Sequence, residues 1–134
     1  MKNCLLKKRV RKEGPPGQTM AFEQVVRTCK LDEVYELIRG EFAGYEWSYT
    51  INIYKKNGKI VFVLYEGSEA AWAGESRYYC DKGENLIRQL DREAFDGAAF
   101  SGSGKEAKID SLKPKIQEKI QKYLKDIEFV LAKK

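Results

Sequence analysis

The sequence predicts an α+β fold: an antiparallel sheet of three or more strands built on an Asn57-Gly58 hairpin, with N- and C-terminal helices packed on one face. Three observations predict it. Two runs with alternating or continuous apolar character, 47–56 and 59–65, flank Asn57-Gly58. Asn-Gly is the strongest short hairpin signal, because a type I′ turn needs positive φ at both central residues. Near the C-terminus Ile109, Leu112, Ile116, Ile120, Tyr123, Leu124, Ile127, Val130 and Leu131 recur at helical spacing. Near the N-terminus Phe22, Val25, Val26 and Cys29, then Leu31, Val34, Tyr35 and Ile38, do the same.

In chain order, residues 1–19 read as a basic, flexible arm ending in the helix-breaking linker Gly14-Pro15-Pro16-Gly17. Met20 offers an alternative start, which would make the arm an upstream extension. Residues 20–134 then form a single α+β domain. Thr19 can cap the first helical stretch and Asp32 the second; the two are one bent helix or two, ended by Gly40 or Gly44, and a strand over 22–29 is the competing reading. In the hairpin, Lys56 opposite Lys59 sets Ile53 against Phe62 and Ile51 against Leu64 on the core face with Tyr49. The second face carries Tyr54, Val61, Val63 and Tyr65, which could cover another subunit in a homodimer. Residues 66–76 read as a flexible connection, and 75–80 as a third strand. Asp81 and Glu84 have capping-box spacing for a short helix through Leu86, Ile87 and Leu90. A loop over 96–105 leads to the last helix, with Pro114 in its first turn behind Asp110 or Ser111.

Composition narrows the chemistry. The chain has 134 residues, 43% of them hydrophobic, enough for a core without staples. It contains no histidine, so a Ser-His-Asp triad, a Cys-His dyad and histidine metal ligation are excluded. Cys4, Cys29 and Cys80 lack any CxxC spacing. They read as three reduced thiols, which with the missing apolar leader suggests a cytoplasmic protein. No metal or cofactor is implied, and no membrane contact. Net charge is +5. Residues 1–19 hold six basic residues against Glu13 alone, so the remainder is neutral overall. It is uneven, with 14 acids to 10 bases over 20–104.

Two surfaces follow. Glu46, Glu66, Glu69 and Glu75 gather near Tyr65 and Trp72 at the open end of the hairpin. Carboxylates beside aromatic faces suit an amine, a sugar or a partner's Lys or Arg. Lys7, Lys8, Arg9, Arg11 and Lys12 in the arm would neutralise phosphates. The leading expectation is a small non-catalytic protein-binding module using the glutamate rim. A nucleic-acid-associated protein acting through the arm is the alternative. A small hydrolase or sugar-binding protein using the rim glutamates is the third reading, since paired carboxylates can run acid–base hydrolysis.

Overall fold

A strand buried on both faces places apolar residues at adjacent positions as well as alternate ones, and that pattern mimics helical spacing. This ambiguity decides the architecture. The computed structural model describes residues 3–96, 100, 105–107, 109 and 114–132. It is an antiparallel meander of eight strands in the order β1-β2-β3-β4-β5-β6-β7-β8. The strands are β1 (Cys4–Glu13), β2 (Met20–Lys30), β3 (Tyr35–Gly44), β4 (Trp47–Lys56), β5 (Lys59–Glu69), β6 (Trp72–Cys80), β7 (Leu86–Phe95) and β8 (Lys105–Glu106). Two short helices, α1 (Ile116–Lys119) and α2 (Gln121–Leu131), follow.

The expected α+β arrangement is therefore corrected to a mostly-β one. Phe22 to Cys29 and Tyr35 to Ile38 lie in strands, not in N-terminal helices. Val25, Val26 and Cys29 are all buried although Val25 and Val26 point to opposite faces. The 3–4 spacing recorded two buried faces. Asp81 does not cap a helix either. Its Oδ1 accepts the N–H groups of Gly83 and Asn85 in the turn before β7. The expected connection at 66–76 is the end of β5, a turn at Ala70-Ala71 and the start of β6. The expected loop over 96–105 falls largely outside the described residues, as do Asp110 and Ser111. Pro114 lies outside α1 rather than in a first helical turn, and its carbonyl accepts the Leu86 N–H.

The basic arm is also corrected. Residues 4–13 form the edge strand β1, paired with β2 from Cys4↔Cys29 to Glu13↔Met20. The Gly14–Gly17 segment supplies its return turn, where Gln18 N–H bonds the Pro15 carbonyl. Cys4 and Cys29 are joined by a disulfide at the start of that ladder. The reading of three reduced thiols is thus overturned, and the cytoplasmic expectation loses its basis, because disulfides persist mainly in oxidising compartments. No helix of the described residues is long and apolar enough to cross a membrane.

The hairpin turns at Asn57 and Gly58, with φ of 50° and 80°. Lys56 faces Lys59, but a bulge then shifts the register between Tyr54 and Lys55. Ile53 meets Val63, not Phe62, and Ile51 meets Tyr65, not Leu64. The cause is the spacing of Ile60 and Val63. Both are buried yet three positions apart, so an extra residue must intervene for both to face the core. Val63 and Tyr65 consequently leave the second face, which instead carries Tyr54, Phe62 and Tyr79 in one cross-strand row. Their rings lie 5.9 and 5.0 Å apart.

One face of the sheet, the inner face, carries the core. Val26, Ile51, Ile53 and Val63 meet Ile116, Ile120, Ile127 and Val130 of the C-terminal segment there. Tyr123 reaches from α2 between Tyr49 and Tyr65, with ring centroids at 5.1 and 4.8 Å. Asp126 accepts a hydrogen bond from Tyr49 and lies 3.6 Å from Arg11. Burial and the Asp126 carboxylate raise the Tyr49 phenol, which stays a protonated donor. The helical stretch breaks at Ile120, with φ −112° and ψ 16°. The opposite, outer face mixes buried Val25, Cys29 and Leu37 and the Tyr54–Phe62–Tyr79 row with ion pairs: Arg27 and Arg39 hold Glu41 at 2.9 and 3.0 Å, and Arg77 and Arg92 hold Glu75 at 2.9 and 2.6 Å.

Candidate functional site

The C-terminal segment covers the inner face over β1, β2 and the middle strands, and the inner face of β5 to β7 at the opposite end opens into a pocket of about 790 Å³. The register builds it. Pairing sets Trp47, Glu69, Trp72 and Phe95 in one row across β4 to β7. The next row holds Tyr49, Gly67, Gly74 and Glu93. The row beyond holds Ile51, Tyr65, Ser76, Asp91 and Lys105. Gly74 has a specific role here. A Cβ at that position would run into the Trp72 indole, so glycine lets the ring lie along its own strand.

Glu75, Asp91, Glu93 and Glu106 line the pocket with Arg92 and Lys105, so acids outnumber bases there, and Glu69 stands beside it in the row of Trp72. Trp72 donates its Nε1–H to Glu93 at 3.1 Å, which holds ring and carboxylate side by side. Asp91 accepts from Gln89 at 3.1 Å. Burial raises the Tyr65 phenol, and the Glu69 charge adds to it against a hydrogen bond from Tyr123. Burial likewise raises Tyr78, with Asp91 adding against a hydrogen bond from Ser76. Both phenols therefore remain neutral donors at physiological pH. Among the described residues no ion pair engages Glu69, Asp91 or Glu93. Lys105 is the basic side chain on the same row as Asp91. The walls are Trp72, Tyr65 and Phe95, and Phe95 is 58% exposed.

The structure divides the rim read from sequence. Tyr65, Glu69 and Trp72 share the inner face. Glu66 and Glu75 oppose each other on the outer face, and Glu75 is held between two arginines, although it and Arg92 also border the pocket. Glu46 sits in the β3–β4 turn with φ 64° and lines a separate, shallower hollow with Trp47 and Ser68. Gln89, Asp91, Glu93 and Phe95 were not singled out. Their period-2 spacing is the available signal; the short helix read through Leu90 covered its first residue, and 91–95 carried no assigned element.

The basic run is divided as well. Lys7, Arg9 and Arg11 point to the inner face and bind the C-terminal end of α2. Lys7 Nζ lies 3.4 Å from the Leu131 carbonyl, and Arg9 donates to the Phe129 carbonyl at 2.8 Å. Arg9 and Arg11 stack over the Phe129 ring at 3.9 and 4.9 Å. Cations at a helix C-terminus complement its dipole, so these three have a structural use. Lys8 and Lys12 alone face outward, and Lys8 lies 3.6 Å from Glu23.

Cys80, outside the pocket, is a free thiol that burial, then Asp81 and Glu84, push up to about 12. At pH 8 its alkylation should be about a hundredfold or more slower in the native chain than in the urea-unfolded chain, because the thiolate is the nucleophile. Rates within twofold of each other, by mass spectrometry, would contradict that burial.

No protein-family model, curated protein or solved structure matches the chain.

Proposed function

We propose that the chain is a non-catalytic protein-binding module whose inner-face pocket takes a basic segment of a partner. One contrast carries the reading. On the outer face Glu41 and Glu75 are each held by two arginines, whereas on the inner face Glu69 and Glu93 flank Trp72, and Asp91 follows two rows on, with no ion pair to these three among the described residues. An indole with carboxylates at its edge suits a guanidinium or ammonium, which gains cation–π attraction and charge-assisted hydrogen bonds together. Guanidinium fits better, since its planar fork can stack on Trp72 while bonding Glu93.

The test uses a tetra-arginine peptide as probe and tryptophan fluorescence as readout. The chain has two tryptophans, so a Trp47→Phe background isolates Trp72. In that background the peptide should bind. With unchanged tryptophans and calorimetry as readout, Trp72→Ala should weaken binding by about thirtyfold, the effect of losing a hot-spot aromatic worth about 2 kcal/mol. Glu93→Gln should weaken it by about five- to tenfold, and Glu66→Gln, on the outer face, by less than about twofold. Equal losses from Glu66→Gln and Glu93→Gln would refute the pocket as the binding surface.

A further inference from the structure

Lysines on an edge strand ordinarily guard it, since desolvating their charge opposes pairing with another chain. The run Lys7-Lys8-Arg9-Val10-Arg11-Lys12 looks like such a guard in the sequence. The structure removes most of it. Lys7, Arg9 and Arg11 turn inward onto α2, through the Leu131 and Phe129 carbonyls, the Phe129 ring and Asp126. What remains on the outer side of β1 is an alternation: Leu6, Lys8, Val10, Lys12. Leu6 is 49% exposed and Val10 53%, and Leu5 beside them is 75% exposed. Three large aliphatic side chains thus lie open on one ten-residue strand. The sheet order leaves its far edge without a neighbouring strand among the described residues.

An exposed edge of this length, with no strand beside it among the described residues, is a template for strand addition. The geometry points to β1 as a docking strand for an extended acidic segment of a partner protein, with carboxylates opposite Lys8 and Lys12 and apolar side chains opposite Leu6 and Val10. Charge selects that occupant. A second copy of β1 would set basic residues opposite one another, Lys8 opposite Lys12 in one antiparallel register and Lys7 opposite Arg11 in the next, and like charges directly opposite are destabilising. Nucleic acid is disfavoured on the same grounds that reduce the run to two outward lysines, because phosphate binding scales with the number of cations presented. Lys8 can exchange partners at little cost, since its contact with Glu23 is a solvent-exposed pair at 3.6 Å. The anchor strand is fixed for the purpose by the Cys4–Cys29 disulfide and by ten paired positions with β2. This inference is independent of the pocket.

The test is amide hydrogen exchange of the oxidised full chain, followed by NMR, with a ten-residue peptide alternating valine and glutamate as probe. The β1 amides that point away from β2 should slow by about tenfold or more at saturation, as newly paired strand amides do. A valine–lysine peptide of equal length should leave them unchanged. The double variant Lys8→Glu, Lys12→Glu should exchange the two preferences, protecting β1 with the lysine peptide and not with the glutamate one. That reversal requires a folded chain, and the unchanged exchange of β4 amides reports folding in the same spectra. Absence of protection, equal protection by both peptides, or β1 protection by a mixed-sequence RNA that falls steeply with salt would overturn the proposal.

Discussion

Replacing Ile51 by alanine is expected to lower the unfolding free energy by about 3–5 kcal/mol, the upper part of the range for emptying a core isoleucine site. Ile51 is fully buried and stands between Gly40 and Tyr65 in its cross-strand row. Gly40 has no side chain to move into the space, and the Phe42 ring already fills the position of its Cβ. Collapse around the vacancy is therefore restricted, which raises the cost of the cavity. Urea unfolding followed by tryptophan fluorescence measures it. A companion pair tests the bulge. Val63 is fully buried, whereas Leu64 lies on the outer face opposite Asn52. Val63→Ala should cost about 2 kcal/mol and Leu64→Ala less than about 1 kcal/mol. The unbroken hairpin register read from the sequence predicts the reverse order, so the sign of the difference decides between them.

Removing the disulfide is the second large effect. Cys4 and Cys29 are 25 residues apart in sequence. Closing a loop of that length restricts the unfolded chain by about 3.5 kcal/mol of conformational free energy. The Cys4→Ala, Cys29→Ala pair should lose close to that amount, and reduction of the unchanged chain should match it. Cys29 is fully buried beside Leu37, so the double variant also loses some packing. The ten-pair ladder between β1 and β2 should keep the strand in place in the folded state. Identical denaturation midpoints for oxidised and reduced protein would show that the bond contributes nothing.

These two predictions rest on features that the sequence shows unequally. Asn57-Gly58 marks the hairpin because its turn chemistry is local and needs only two residues. The bulge beyond it is not local: it depends on which side chains the C-terminal segment covers, and Ile60 and Val63 reveal it only once both are known to be buried. The N-terminal strands were hidden for the same reason. Val25, Val26 and Cys29 spell a helix when one buried face is assumed, and a strand when two are. The disulfide was invisible because Cys4 seemed to belong to an arm, and two cysteines can be paired from sequence only when their strands are known to be neighbours. Of the candidate site, Trp72, Glu69 and Tyr65 were legible as aromatic and acidic residues clustered near one hairpin end. Their partners Asp91 and Glu93 come from β7, which only the meander brings alongside β6.

The arginine ladder on the outer face shows why composition alone could not separate the glutamates. Glu66 and Glu69 are three residues apart, yet the strand sends them to opposite faces. Glu75, read from the sequence as a member of the rim, is held by Arg77 and Arg92.

The most direct measurement is a titration of the isotopically labelled full chain with tetra-arginine peptide, followed by NMR. If the pocket binds basic segments, shifts should concentrate on the Trp72 indole N–H, Glu93, Asp91 and Glu69, all on the inner face of β5 to β7. The outer-face residues Arg27, Glu41 and Glu66 should stay in place. Shifts centred on that outer face, or none at millimolar peptide, would contradict the account.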